Sequence, residues 1–231
     1  MQLTPTETLK DIEEISLRLI RDNGMTEGEG TVYLQITRGA APRTHYFPPA
    51  ETPCTVFMAT SRFTVPHERR AAGVSVVTYP DIRWTRCDIK SVNLIPAVLA
   101  RQFAVDHEVF EAIFVRDSAI TEGSHTNFFG VLDGELRTYP ASNYILGGVT
   151  REVVLELARE LGIPTLERPF HVHDLPRLEE AFLTGTTTDV MPVVQVDGRA
   201  VGDGRPGPVT LQLYEALARR LYGPVSSGSV R

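Results

Sequence analysis

Lysine is nearly missing from this chain. Of its 23 lysines and arginines only Lys10 and Lys90 are lysines, so wherever a surface cation suffices the sequence has used arginine. An amine at Lys90 therefore invites a chemical reason: lysine can act as a neutral nucleophile and form a Schiff base, and arginine cannot. On position alone the simpler reading of Lys90 is a lysine at a helix start with its head in water. Cysteine is scarce too. Cys54 and Cys87 form neither a metal spacing nor a disulfide framework, which suits a reducing cytosol and a cytoplasmic protein and gives no metal site. Long apolar runs are absent: the longest, Val92–Ala100, is interrupted by Asn93 and Pro96 and is far too short to span a bilayer. Basic excess is absent as well. A net charge of −6 argues against a nucleic-acid or anionic-membrane partner. The polar, acid-bearing N-terminus is not a signal peptide, and no internal repeat is visible.

What is present is an ordinary globular composition, 42% hydrophobic and 23% charged over 231 residues, enough for one large domain or two modest ones. Thr4-Pro5-Thr6-Glu7 reads as a helix start. Leu9, Ile12, Ile15, Leu19 and Ile20 then form a helical stripe that ends at Asn23-Gly24. Strands are expected over 31–37 and 54–59, flanking a polar loop over 38–49. One helix and two strands make a poor independent core, so residues 1–61 read as part of a small domain and 62–73 as a linker. Beyond it come a strand over 74–79, a helix over 93–105, a strand over 110–116 and a loop over 121–127. A hairpin turned at Asp133-Gly134 leads to a helix over 150–161, closed by Gly162 and Pro164. A strand over 165–170, a short helix near Asp174 and a strand over 181–184 follow. A threonine-rich loop, a second Asp-Gly turn at 197–198 and a helix over 209–221 complete a larger unit, 74–222, before a frayed tail, 223–231. The irregular alternation indicates a mixed α/β (α+β) fold with antiparallel hairpins rather than a doubly wound sheet.

Three loops could complete a site around Lys90. In Thr121-Glu122-Gly123-Ser124-His125-Thr126-Asn127, Glu122 is either a turn former or a buried carboxylate facing a cationic ring nitrogen. Leu146-Gly147-Gly148-Val149-Thr150-Arg151 opens a helix, where free N–H groups and the positive helix end favour an anion, although paired glycines often mark a plain loop. Thr184-Gly185-Thr186-Thr187-Thr188 offers hydroxyls that could cap a helix, line a strand end or hold phosphate oxygens. A phosphate cradle, a Schiff-base lysine and an acid for a ring nitrogen are together what pyridoxal phosphate requires.

Three stretches also carry a family resemblance: Arg83-Trp-Thr-Arg-Cys-Asp-Ile-Lys-Ser-Val-Asn-Leu94, Thr121-Glu-Gly-Ser-His-Thr-Asn-Phe-Phe-Gly130 and Ile145-Leu-Gly-Gly-Val-Thr-Arg151. With them the sequence resembles, over nearly its whole length, the fold-type IV pyridoxal-phosphate enzymes, the class IV aminotransferases, and most closely the D-amino-acid (D-alanine) aminotransferases. The resemblance implies a two-domain fold with an incomplete small N-terminal α/β domain and a larger barrel-like cofactor domain. It implies that Lys90 carries the cofactor, Glu122 pairs with its ring nitrogen, Leu146 packs beneath the ring, and Val149, Thr150 and Thr186 hold the phosphate. It further implies ping-pong transfer of the amino group between D-amino acids and 2-oxo acids, and a homodimer.

Arg43 and His45, in Arg43-Thr-His45, match the carboxylate trap of the D-amino-acid enzymes; without that context they would read as a solvated basic loop. His125 stands where a small polar residue is expected. Rival readings are a branched-chain aminotransferase, an aminodeoxychorismate-type lyase on the same fold, and an inactive remnant. The resemblance finally leads to the expectation that the sequence is N-terminally truncated. About fifty to sixty upstream residues would carry the first strands of the small domain and an arginine for the phosphate.

Overall fold

The computed structural model describes residues 2–223 and divides the chain into two compact units, Met1–Val65 and Pro66–Arg231. In the first unit, helix α1 (Leu9–Asp22) packs against a two-stranded antiparallel sheet, β1 (Gly30–Thr37) and β2 (Thr55–Arg62), paired in register from Gly30↔Arg62 to Thr37↔Thr55. The helix starts later than Thr4-Pro5 suggests. Thr8 is its N-cap, accepting from the Asp11 amide at 3.2 Å while Asp11 accepts back from the Thr8 amide at 2.8 Å, a reciprocal pair worth about 1 kcal/mol.

The second unit opens with a short helix, α2 (His67–Ala72), inside the segment expected to be linker. Its Arg70 is buried and bonded to Asp189 at 3.0 Å, so this stretch belongs to the packed unit. Then follow β3 (Val74–Pro80), α3 (Ile95–Asp106), β4 (Glu111–Arg116), β5 (Ala119–Gly123), β6 (Asn127–Leu132) and β7 (Glu135–Thr138). Next come α4 (Val149–Glu160), β8 (Thr165–Glu167), β9 (Phe170–His171), a 3₁₀ turn at Val172–Arg177, β10 (Glu180–Gly185), β11 (Asp189–Val196), β12 (Arg199–Ala200) and α5 (Pro208–Tyr222). The tail expected from 223 onward lies outside the described residues save Gly223, which caps α5.

The sheet closes on itself. β6 pairs with β10, β10 with β11, β11 with β3, β3 with β4, β4 with β5, and β5 returns to β6 through Glu122↔Asn127. Alternate residues of these six strands (Val74 and Val76, Ala181 and Leu183, Met191 and Val193, with Ile113, Ile120 and Phe128) form one apolar cluster, the filling of the barrel. The opposite parity faces outward. Phe129, Phe182 and Val190 pack on α4 and α5, while Ala112 and Phe114 pack on α3. Both Asp-Gly turns are as expected, with positive φ at Asp133 (55°), Gly134 (74°), Asp197 (49°) and Gly198 (75°), the backbone that a two-residue hairpin requires.

The main correction concerns the loop expected over 121–127. Its first half is strand β5, every residue of which is buried, so no polar alternation marks it. The preceding turn, Asp117-Ser118, has φ of 50° and 66° without a glycine, which hides a tight hairpin from a sequence reading. Two smaller shifts accompany it. α3 begins at Ile95 rather than Asn93, and β2 runs on to Arg62.

Candidate active site

Barrel closure brings the three loops together. A cavity of about 590 Å³ within the second unit is lined by Lys90, Glu122, Leu146, Val149, Thr150 and Thr186, together with Arg83, Cys87, His125, Asn127, Gly148 and Thr184. Every cofactor residue expected from sequence thus borders one space. Arg43 and His45 belong to the first unit and stand exposed on its β1–β2 loop.

Lys90 sits on the exposed segment that leads into α3. Lys10 pairs with Glu14 at 3.7 Å, whereas the Lys90 amine has no ion-pair or hydrogen-bond partner among the described residues. Nothing nearby competes for that nitrogen.

Glu122 is 5% exposed and its carboxylate accepts from three donors. Arg83 Nη1 donates to one oxygen; Asn127 Nδ2 at 3.0 Å and the Leu146 amide at 3.1 Å donate to the other. Burial pushes its pKa up to about 7, against the downward pull of Arg83 and the Leu146 N–H. Gly148 is required here: a Cβ at that position would lie 2.3 Å from Asn127 Oδ1 and break the arm that holds Glu122.

Arg83 is the functional residue that sequence reasoning missed, although it lies inside the first stretch of resemblance. Its guanidinium bridges Glu122 and Asp81, bonding Asp81 at 2.9 and 3.0 Å and the Tyr144 carbonyl at 3.2 Å, with its face 4.1 Å from the Phe114 ring. Asp81 also accepts from Arg116 at 3.1 Å, and although burial works against it, the two guanidiniums hold its carboxyl below the ordinary range. No local pattern marks this chain of charges, because Asp81 and Glu122 are joined only through the fold.

The anion side shows two helix starts treated differently. The first amides of α5 are taken up by Glu180, at 3.0 Å from Val209 N and 2.8 Å from Thr210 N. The start of α4 at Gly148 carries no side-chain cap and opens into the cavity. Thr184, in the same lining, has a buried Oγ1 with no hydrogen-bond partner among the described residues, a polar atom left for something else to satisfy. Arg70, bonded to the Thr188 carbonyl at 3.4 Å and to Asp189, anchors the far end of the Thr186 loop. These residues fit pyridoxal phosphate. Lys90 would hold its aldehyde carbon, Glu122 its ring nitrogen, Leu146 one ring face, and the α4 amides with Thr150, Thr184 and Thr186 its phosphate.

A closed mixed barrel with a lone amine, a buried carboxylate and an uncapped helix start around one cavity defines a pyridoxal-phosphate enzyme of fold type IV. Known proteins agree. The family description amino-transferase class IV matches residues 1–196. The D-alanine aminotransferase of Staphylococcus haemolyticus is 39% identical over 217 residues, covering 94% of this chain and 76% of that protein. That of Bacillus licheniformis is 39% identical over 209 residues, covering 90% and 70%. Among solved structures, the branched-chain amino acid aminotransferase of Escherichia coli superposes with a TM-score of 0.82 at 26% identity, covering 98% of this chain and 76% of that one. The branched-chain amino acid aminotransferase of Thermobaculum terrenum, in its PLP form, gives 0.79 at 25% identity, covering 95% and 73%. The chain belongs to the class IV aminotransferases, which work with pyridoxal phosphate.

Proposed function

We propose that this protein transfers the amino group of D-amino acids to 2-oxo acids, with D-alanine and 2-oxoglutarate giving pyruvate and D-glutamate. The observation that carries the chemistry is the shared cavity of Lys90, the Arg83-backed Glu122 and the open start of α4. The choice of the D-series draws on relatives of 39% identity named D-alanine aminotransferase and on the Arg43-Thr44-His45 loop.

Bound in this cavity, pyridoxal phosphate supplies the electron sink for the carbanion left when the substrate Cα loses its proton. The chain's own residues do the rest. Lys90 Nζ, with no carboxylate of its own, takes the Cα proton and returns one after the electrons have moved. Glu122 stands as the counter-charge for the ring nitrogen, and Asn127 and Leu146 N–H fix the direction of its free lone pairs. Arg83 and Asp81 hold that carboxylate from behind, so it does not rotate away, and the guanidinium favours its charged form against the burial that raises its pKa. Arg43 and His45 bind the substrate carboxylate, the guanidinium offering a two-pronged fork. Because the amino group waits on the enzyme between the two acids, kinetics are ping-pong.

Within this reading, the first unit is part of a small domain and the second is the cofactor domain. The working form is a cytoplasmic homodimer: both cysteines are free, and α3 and the segment before it expose Val92, Leu94, Ile95 and Val98, an apolar face suited to a second copy. The branched-chain reading draws on the structural neighbours. An assay with D-alanine and 2-oxoglutarate, run beside L-leucine and L-valine, tests the choice. Turnover of the L-acids alone would refute the D-specific reading, and release of pyruvate without any acceptor would make the protein a lyase.

A further inference from the structure

His125 is the residue of the cavity that neither the resemblance nor the reaction accounts for. It occupies the middle of the Ser124-His125-Thr126 turn between β5 and β6, the two strands whose ends carry Glu122 and Asn127. Its Nδ1 lies 2.7 Å from Oε2 of Glu111, a wholly buried carboxylate on β4. That carboxylate is fully engaged, accepting also from Ser124 Oγ at 2.6 Å, Ala112 N at 2.9 Å and Thr126 Oγ1 at 3.2 Å. Burial works to raise the pKa of Glu111, yet His125, Ser124 and the Ala112 N–H together hold it below the ordinary range, so a negative charge stays behind the imidazole. A carboxylate on Nδ1 fixes the ring's orientation and leaves Nε2 as the working nitrogen, the arrangement that second-shell acids impose on ligating histidines. The side chain is half-exposed, and His125 is among the residues that line the cavity.

The position of the turn says which part of the ligand it serves. The His125 carbonyl and Thr126 Cγ2 pack against Gly185, each 3.6 Å from where a Cβ at Gly185 would stand. Gly185 lies between Thr184, with its unpartnered buried hydroxyl, and Thr186. The turn that carries His125 therefore borders the anion side of the site. Among the described residues that line the cavity, the other cations are Arg83, committed to Asp81 and Glu122, and Lys90, needed at the reacting carbon. A phosphate monoester brings a charge of about −1.5 to −2. Cys87 and Glu122 complete the titratable groups around the cavity, and neither supplies a positive charge.

We propose that His125, oriented by Glu111, is a cationic contact for the phosphate of the cofactor, with its Nε2–H donating to a phosphate oxygen. This rests on the pyridoxal-phosphate reading above, and the test separates the two. Cofactor-free wild-type protein, His125→Gln and His125→Arg are titrated with pyridoxal phosphate and with pyridoxal, which lacks the phosphate, and inorganic phosphate is used as a competitor. His125→Gln should weaken pyridoxal phosphate and inorganic phosphate about tenfold, the scale of one charge-assisted hydrogen bond, and leave pyridoxal unchanged. His125→Arg should restore most of the loss. Equal weakening of both vitamers, no weakening of either, or a change confined to the KM for the 2-oxo acid would each overturn the assignment. A wild-type protein that takes up neither vitamer overturns the cofactor reading, and this proposal with it.

Discussion

Glu122→Gln is the substitution that most directly questions the mechanism, because it changes one atom at the centre of the network. Glutamate offers two acceptor oxygens there, one facing Arg83 and one facing Asn127 Nδ2 and the Leu146 N–H. Glutamine keeps one acceptor and adds a donor. With its oxygen toward Asn127 and Leu146 it retains two bonds and sets its NH₂ against Arg83. The reverse orientation opposes two donors instead of one, so the first should prevail. Arg83 keeps Asp81 as its partner in either case, and the fold should survive. What disappears is the negative charge opposite the ring nitrogen, an interaction of about 1.5–3 kcal/mol for a charge-assisted bond. If that charge matters mainly when the carbanion forms, the rate of Cα deprotonation falls about ten- to 150-fold while cofactor stays bound. Single-turnover stopped-flow with D-alanine and Cα-deuterated D-alanine isolates this step. An unchanged, deuterium-sensitive rate in the variant would refute the role given to Glu122.

The same group sets a pH signature. Its pKa stands at about 7 in the folded chain against an ordinary 4.5, so between those values the folded state holds a proton that the unfolded state has lost. Stability contributed by this group is full below about pH 4.5 and falls as pH rises toward 7. Thermal melts of the cofactor-free protein across that window should show the decline, and Glu122→Gln should remove it; parallel profiles would contradict the burial argument. Lys90→Ala should abolish borohydride-fixable cofactor with a near-native fold, and a label found at Lys10 would displace Lys90 from its role. Arg43→Ala should lower kcat/KM for D-alanine by roughly 1.5–3 kcal/mol, whereas an equal loss with an amine lacking a carboxylate would point to a folding defect.

The sequence by itself determined the features that depend on composition and on neighbours along the chain. The scarcity of lysine singles out Lys90 without reference to anything it touches. Asp133-Gly134 and Asp197-Gly198 declare their hairpins because tight turns need positive φ, which glycine adopts freely. Gly147-Gly148 before an amphipathic run marks where α4 starts, and the three motif stretches carry the family. Only the tertiary structure decided what those pieces face. β5 is invisible in the sequence because its turn lacks glycine and its five residues are all buried, so neither punctuation nor alternation betrays it. That Glu122 borders the same cavity as Lys90, Leu146 and Thr186 follows from the closure of β5 onto β6. That Arg83 backs Glu122, and that Glu111 aims His125, follows from the pairing of β3 with β4 and of β4 with β5. Arg83 and Glu122 are 39 residues apart in the chain, where neither periodicity nor turn chemistry reaches, and the packing of the barrel wall alone brings their charges together.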